Sequence, residues 1–239
     1  MMRRHARATF GSFYVFPGGV LDDGDAEVHG FSSGRDDVDA NHTLGVESGA
    51  LDYYSAAIRE AFEESGILLA RNARGDWGVD DASAEQLATY RESLHAGRMS
   101  WLSFLESQKL TLAYEQMHYI AYWVTPRIEA RRFSTRFFLA PMPEGQVASH
   151  DDAELTDSCW MTPAAVLQAS KDGEMQLMYP TRCALREIAE YSTIDEIVGW
   201  AREQEQDELI KLPPVFHEDP RDLRPIFPGE PDYPADPDL

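Results

Sequence analysis

Arg59-Glu60-Ala61-Phe62-Glu63-Glu64-Ser65-Gly66 is the stretch on which the reading of this 239-residue chain turns. Three to four residues make one helical turn, so Glu60, Glu63 and Glu64 fall within roughly 100° of one another. Tyr54, Ala57, Ile58, Ala61 and Ser65 form an apolar stripe beside that acidic face. The spacing predicts a helix from about Leu51 toward Leu69, packed on a sheet by one side and pointing carboxylates into a cleft by the next. Arg59 stands one turn before Glu63 and is expected to pair with it. Like charges at this spacing oppose folding modestly, and a bound cation would relieve them. Hard carboxylate oxygens favour magnesium or manganese, with open positions left for water and phosphate. A Glu-Glu pair alone in an acidic chain is ordinarily a solvated face. The longer pattern is expected by chance in roughly one chain in a thousand of this composition.

Upstream, Phe13-Tyr14-Val15-Phe16 reads as a short buried strand ended by Pro17-Gly18-Gly19. Residues 22–50 read as a long polar loop. Beyond the helix, periodicity predicts helices near 84–95, 99–108, 163–171, 181–191 and 194–206, and strands at 117–124, 136–140 and 158–161. Thr162-Pro163 has the form of an N-cap followed by proline at the first helical position. Eight of the fourteen prolines lie in the last 27 residues, which predicts an extended tail. Mixed strands and helices in this order indicate an α+β fold, or a layered αβα sandwich.

The totals exclude several classes. A net charge of −21 repels a nucleic-acid backbone at long range. It leaves room for a small anionic substrate, because a metal and a few arginines reverse the field inside one cleft. No apolar run is long enough to span a membrane, and no apolar segment follows the basic first residues, so neither a membrane protein nor a signal peptide is expected. Cys159 and Cys183 lie outside any metal-ligand or disulfide spacing and suggest a cytoplasmic protein with two packing thiols.

Taken together, these residues resemble the Nudix box of the Nudix hydrolases, whose pattern is Gly, five residues, Glu, seven residues, then Arg-Glu-apolar-x-Glu-Glu-x-Gly-apolar. Gly19 matches the first glycine and Asp25 stands where the family has Glu. Arg59, Glu60, Glu63, Glu64, Gly66 and Ile67 match the second half, with Ala61 at an apolar place. Between Asp25 and Arg59 lie 33 residues instead of seven, an insertion of 26 in a loop where length costs little.

The resemblance implies a Nudix fold, an αβα sandwich with a mixed sheet, over residues 1–210. It carries insertions at 26–51 and about 84–108, and a Pro-rich tail over 211–239. It also implies hydrolysis of a nucleoside diphosphate linked to another moiety. Magnesium or manganese held by Glu60, Glu63 and Glu64 would neutralise the pyrophosphate and lower the pKa of a water. Gly18 and Gly19 would let the backbone turn near the phosphates. Glu154 is a candidate fourth carboxylate or general base, with Asp151 and Asp152 as rivals and His150 beside them. Arg4 and Arg7 in one cluster, or Arg132 and Arg136 in another, would clamp substrate phosphates, with salt bridges an equal explanation.

The likeness runs closest to the coenzyme A and acyl-coenzyme A diphosphatase branch, from Phe16-Pro17-Gly18-Gly19 through Arg136-Phe137-Phe138 and Trp160 to Pro228-Gly229. That branch's upstream signature expects arginine and glycine where Ala8 and Ser12 stand, while Arg7 and Gly11 sit one residue early. An apolar strand precedes Arg3 and Arg4 in the family, and its absence here suggests a truncation or a start placed too late. ADP-ribose or NADH is the alternative substrate, and a nucleotide sensor without catalysis the alternative class. Three repelling carboxylates argue against a sensor. Partners are a small-molecule nucleotide only, and oligomeric state is not readable.

Overall fold

The computed structural model describes residues 1–4, 12–79, 82–149, 155–216, 224–235 and 237, with backbone alone for Arg4 and residues 155–157. Helix α3, Ala50–Ser65, carries the acidic stretch at the centre of the molecule. It has no side-chain cap of its own at Gly49; instead the Ala50 amide donates to Asn41 Oδ1 at 3.0 Å. The helix ends at Gly66, whose left-handed φ of 73° turns the chain while its amide closes on the Phe62 carbonyl.

Asn41 belongs to the insertion. Residues 22–50, expected to be a polar loop, instead hold α1 (Asp23–Ala26), a 3-10 turn at His29–Phe31, strand β3 (Ser32–Ser33) and α2 (Asp37–Leu44). The physical reason is capping rather than hydrophobic periodicity. Asp22 and Asp25 form a reciprocal capping box around α1, and Asp36 caps α2 through the Asp39 amide. Val28, Ala40 and Leu44 then bury completely beside α3.

Strand β1 (Met2–Arg4) lies between β2 (Tyr14–Val15) and β8 (Leu155–Ser158), antiparallel to both. A second sheet sets β5 (Thr111–Ala113) between β3, parallel, and β4 (Ala70–Arg71), antiparallel. The longest strands, β6 (His118–Val124) and β7 (Ser134–Leu139), form an antiparallel hairpin with a bulge between Tyr119 and Ala121. The expected strand at 158–161 is displaced. Pairing covers 155–158, Cys159 exchanges backbone hydrogen bonds with Met1, and Trp160 is 75% exposed.

Helices α4 (Ala84–His95) and α5 (Trp101–Gln108) follow the predicted bounds closely, as do α6 (Pro163–Lys171), α7 (Tyr179–Ile188) and α8 (Ile194–Gln204). In the tail, β9 (Val215–Phe216) pairs with β10 (Pro225–Ile226), where the sequence predicts only extended chain. Just past α8, Glu205 accepts from the Tyr119 amide at 2.9 Å and, through both oxygens, from Arg35 Nη2 at 3.1 and 3.3 Å, tying insertion, hairpin and C-terminal helix together.

Two apolar clusters hold these parts. The larger surrounds the buried side of α3, where Phe62 stacks on Phe104 and Tyr54 meets Tyr114 and Phe138. Full burial of a side chain such as Phe62 or Phe104 contributes about 1.5–3 kcal/mol. The smaller joins Val166, Met175, Leu177 and Leu185 to Tyr14 and Phe16, and so supports the strand leading into Pro17-Gly18-Gly19. Among the described residues no helix is long and apolar enough to cross a membrane.

Candidate active site

The acidic face of α3 lies against the turn at Gly18-Gly19. The Gly18 amide donates to Glu64 Oε2 at 3.0 Å. A Cβ placed on Gly19 would overlap the Glu60 carboxylate, so any larger residue there must push that carboxylate aside. The two halves of the divided box are therefore in contact despite the inserted residues between them.

Arg59 organises the site, and the expected partner Glu63 is secondary to Asp25. Its Nε and Nη2 grip Asp25 with two bonds, 2.9 Å to Oδ1 and 3.0 Å to Oδ2, and Asp25 is fully buried. Nη2 also reaches the Val20 carbonyl at 3.0 Å. Nη1 lies 2.9 Å from Glu60 Oε1 but 3.5 Å from Glu63 Oε2, the outer limit of a hydrogen bond. The predicted Arg59–Glu63 pair is thus the weakest of its contacts, because the fork is already committed to Asp25. Burial works against the Arg59 charge, and the Asp25 hydrogen bonds outweigh it and hold the guanidinium protonated.

Burial pushes the Glu63 carboxyl above its ordinary range; Arg59 opposes the shift and Glu60 adds to it. A raised folded-state pKa on an acid means that the native protein binds more protons than the unfolded chain just above the ordinary value. Stability therefore falls as pH rises through that window. Positive charge near Glu63 offsets the loss.

Among the described residues, no three carboxylate, histidine or cysteine side chains converge into a ready-made metal cage. The donor chemistry still fits a hard divalent cation. Arg59 Nη1 already bridges Glu60 and Glu63 as a positive charge between two carboxylates, and Glu64 is adjacent on the same helix.

Other predicted residues divide. Glu154, Asp151, Asp152, His150 and Arg7 lie outside the described residues, as does the Arg4 side chain, whose backbone is in β1. Arg132 is exposed and donates Nε to the Thr125 carbonyl at 2.8 Å, closing the β6–β7 turn. Arg136 lies against two tyrosine rings, those of Tyr53 and Tyr122. Ser12, where the branch signature has glycine, carries φ 69°, the left-handed conformation that glycine adopts without strain.

Arg91, in the helical insertion, was not singled out from the sequence. It is buried, donates to the Glu63 carbonyl at 3.1 and 2.9 Å, and holds Ser149 through Oγ at 2.9 Å and the carbonyl at 3.0 Å. The Ser149 amide in turn donates to the Ser65 carbonyl at 2.9 Å. A cation therefore caps the C-terminal end of α3 and fixes the chain that approaches it at Ser149. No local signal marks Arg91, since its partners are 28 and 58 residues away.

A long helix with three glutamates, locked to a glycine turn by its arginine and by a buried acid at the first-half position, is the arrangement of a Nudix domain. The chain belongs to the NUDT19 Nudix domain family, which matches residues 41–188, more than half of its length. It is 27% identical over 194 residues to the acyl-coenzyme A diphosphatase NUDT19 of Xenopus laevis, covering 77% of this chain and 51% of that protein. Identity to the Homo sapiens protein of the same name is 25% over 191 residues, again 77% and 51%. The putative nudix hydrolase 7 of Caenorhabditis elegans is 25% identical over 201 residues, covering 84% and 56%. The chain spans about half the length of the curated relatives it matches. A crystal structure of a NUDIX hydrolase from Alicyclobacillus acidocaldarius superposes with a TM-score of 0.67 at 25% identity, over 83% of this chain and 86% of that one.

Proposed function

We propose that this chain hydrolyses the pyrophosphate linkage of a nucleoside diphosphate joined to another moiety, with coenzyme A or acyl-coenzyme A as its substrate. The observation that carries the reading is the seating of Glu60 and Glu64 against Gly19 and Gly18, which places the carboxylates beside a turn able to receive phosphates. The names of the Xenopus and human relatives support the choice of substrate. Glu60, Glu63 and Glu64 are the residues that would hold magnesium or manganese. When bound, the metal supplies charge neutralisation of the diphosphate and a water of lowered pKa. Arg59 keeps Glu60 oriented, Asp25 keeps Arg59 in place, and the Gly18 amide fixes the Glu64 rotamer. Glu154 remains our candidate for the base that accepts the water's proton. Two free, half-buried thiols, Cys159 and Cys183, support a reducing cytosolic setting.

Incubation with magnesium or manganese and, separately, coenzyme A, acyl-coenzyme A, ADP-ribose and NADH tests the reading. Expected products from coenzyme A are adenosine 3',5'-bisphosphate and phosphopantetheine, and excess EDTA is expected to abolish their formation. Cleavage of ADP-ribose or NADH alone would reassign the substrate. Tight binding without cleavage of any would make the protein a sensor.

Gly19→Ala gives a narrower test. The added methyl must displace Glu60, and supporting contacts of metal ligands are worth about 10–100-fold in metal affinity or activity. We expect a rise of that order in the manganese concentration needed for half-maximal turnover, with the melting temperature nearly unchanged. An unaltered manganese requirement would show that Glu60 does not serve the metal.

A further inference from the structure

Arg136 is the anomaly of this acidic molecule. Its guanidinium lies 4.4 Å from the ring centroid of Tyr53 on α3 and 4.4 Å from that of Tyr122, its cross-strand partner on β6. Tyr122 is steadied by a 3.0 Å hydrogen bond between its hydroxyl and Ser134 Oγ. Nε is buried without a hydrogen-bond partner, and among the described residues no carboxylate or carbonyl engages the fork. The chain has 42 acidic residues against 21 basic ones, so a half-buried arginine with no acidic partner among the described residues runs against composition. Aromatic rings attract a guanidinium through its faces and leave free its in-plane N–H edge, the edge that binds phosphate or carboxylate in forked fashion.

Its position gives this edge a purpose. Tyr53, Ala57, Glu60 and Glu64 follow at i, i+4, i+7 and i+11, one stripe along α3. Arg136 therefore overlies the same face as two of the site carboxylates, about 10 Å along the helix axis from Glu60. One nucleoside bridges such a span when it carries phosphate at both ends of its ribose. The diphosphate then lies at Glu60 and Glu64, and a second phosphate reaches back along the stripe.

We propose that Arg136, braced against Tyr53 and Tyr122, receives a phosphate monoester on the nucleotide half of the substrate, separate from the diphosphate that is cleaved. The inference rests on the coenzyme A reading, since coenzyme A carries such a 3'-phosphate. It also explains why, among the described residues, the arginine meets rings rather than a carboxylate. A salt bridge would compete with the ligand for the fork, whereas stacking leaves it open.

Calorimetric titration of wild type with adenosine 3',5'-bisphosphate and with adenosine 5'-monophosphate isolates the second phosphate without requiring turnover. One charge-assisted forked contact predicts a preference of about 10–100-fold for the bisphosphate. Arg136→Gln is expected to erase that preference while its affinity for the monophosphate stays as in wild type, which also shows that the variant is folded. Arg136→Lys, which keeps the charge and loses the fork, is expected to retain part of it. Equal binding of both nucleotides by wild type, a preference intact in Arg136→Gln, or parallel loss of both ligands would each overturn the proposal. Failure of wild type to cleave coenzyme A would instead remove the diphosphatase reading, and the binding comparison would still stand or fall by itself.

Discussion

Glu63→Gln and Glu64→Gln are each expected to lower metal-dependent turnover of coenzyme A by at least about 100-fold, because loss of mere supporting contacts around a metal already costs 10–100-fold. Both proteins are expected to remain folded. Gln at 64 keeps an oxygen to accept the Gly18 amide, and Gln at 63 removes a partly buried carboxyl whose pKa is pushed upward by that burial. Glu63→Gln is therefore expected to unfold at the same urea concentration as wild type or a higher one, and to lose the decline in stability with rising pH derived above. Turnover at saturating magnesium, together with urea midpoints at two pH values, separates catalytic loss from unfolding. Full metal-dependent turnover in both variants would remove these carboxylates from the reaction.

Asp25→Ala is expected to be the most destabilising single change at the site, by about 3–5 kcal/mol, the range for breaking a buried ion pair and leaving one charge without its partner. Asp25 is completely buried and takes four donors: Arg59 twice, Ser55 and the Asp22 amide. Its loss strands Arg59 and opens the capping box of α1 at once. A double-mutant cycle with Arg59→Met isolates the pair, since removing both charges restores part of what either removal costs. A urea-unfolding difference below about 1 kcal/mol for Asp25→Ala would show that Arg59 finds other partners in Glu60 and Glu63, and that Asp25 is dispensable.

The carboxylate positions on α3 were readable because helical spacing is local: three to four residues fix a direction on the helix. The same holds for Thr162-Pro163 at the start of α6 and for Gly66 at the end of α3, where residue type and backbone conformation are directly linked. The inserted segment misled for the opposite reason. Its polar run shows little apolar periodicity, yet Asp22, Asp25 and Asp36 cap two short helices that bury one and three residues. Strand ends near Trp160 also slipped, because pairing partners rather than residue type decide where a ladder stops.

What the sequence by itself determined, then, is the acidic face of α3, the glycine turn, and the match of Asp25 to the first half of the box. Each depends on spacing or on the backbone freedom of one residue type. Only the tertiary structure decided what those groups do to one another. It gave the two-bond grip of Arg59 to Asp25 and left Glu63 its longest contact, used Asn41 and Arg91 to satisfy the two ends of α3, and laid Arg136 against Tyr53 and Tyr122 above the carboxylate stripe. These contacts join residues 9 to 83 positions apart, so no helical or strand period encodes them. They arise when burial of the apolar side of α3 brings the insertion, α4 and the β6–β7 hairpin against one helix, and each polar group left there must find a partner.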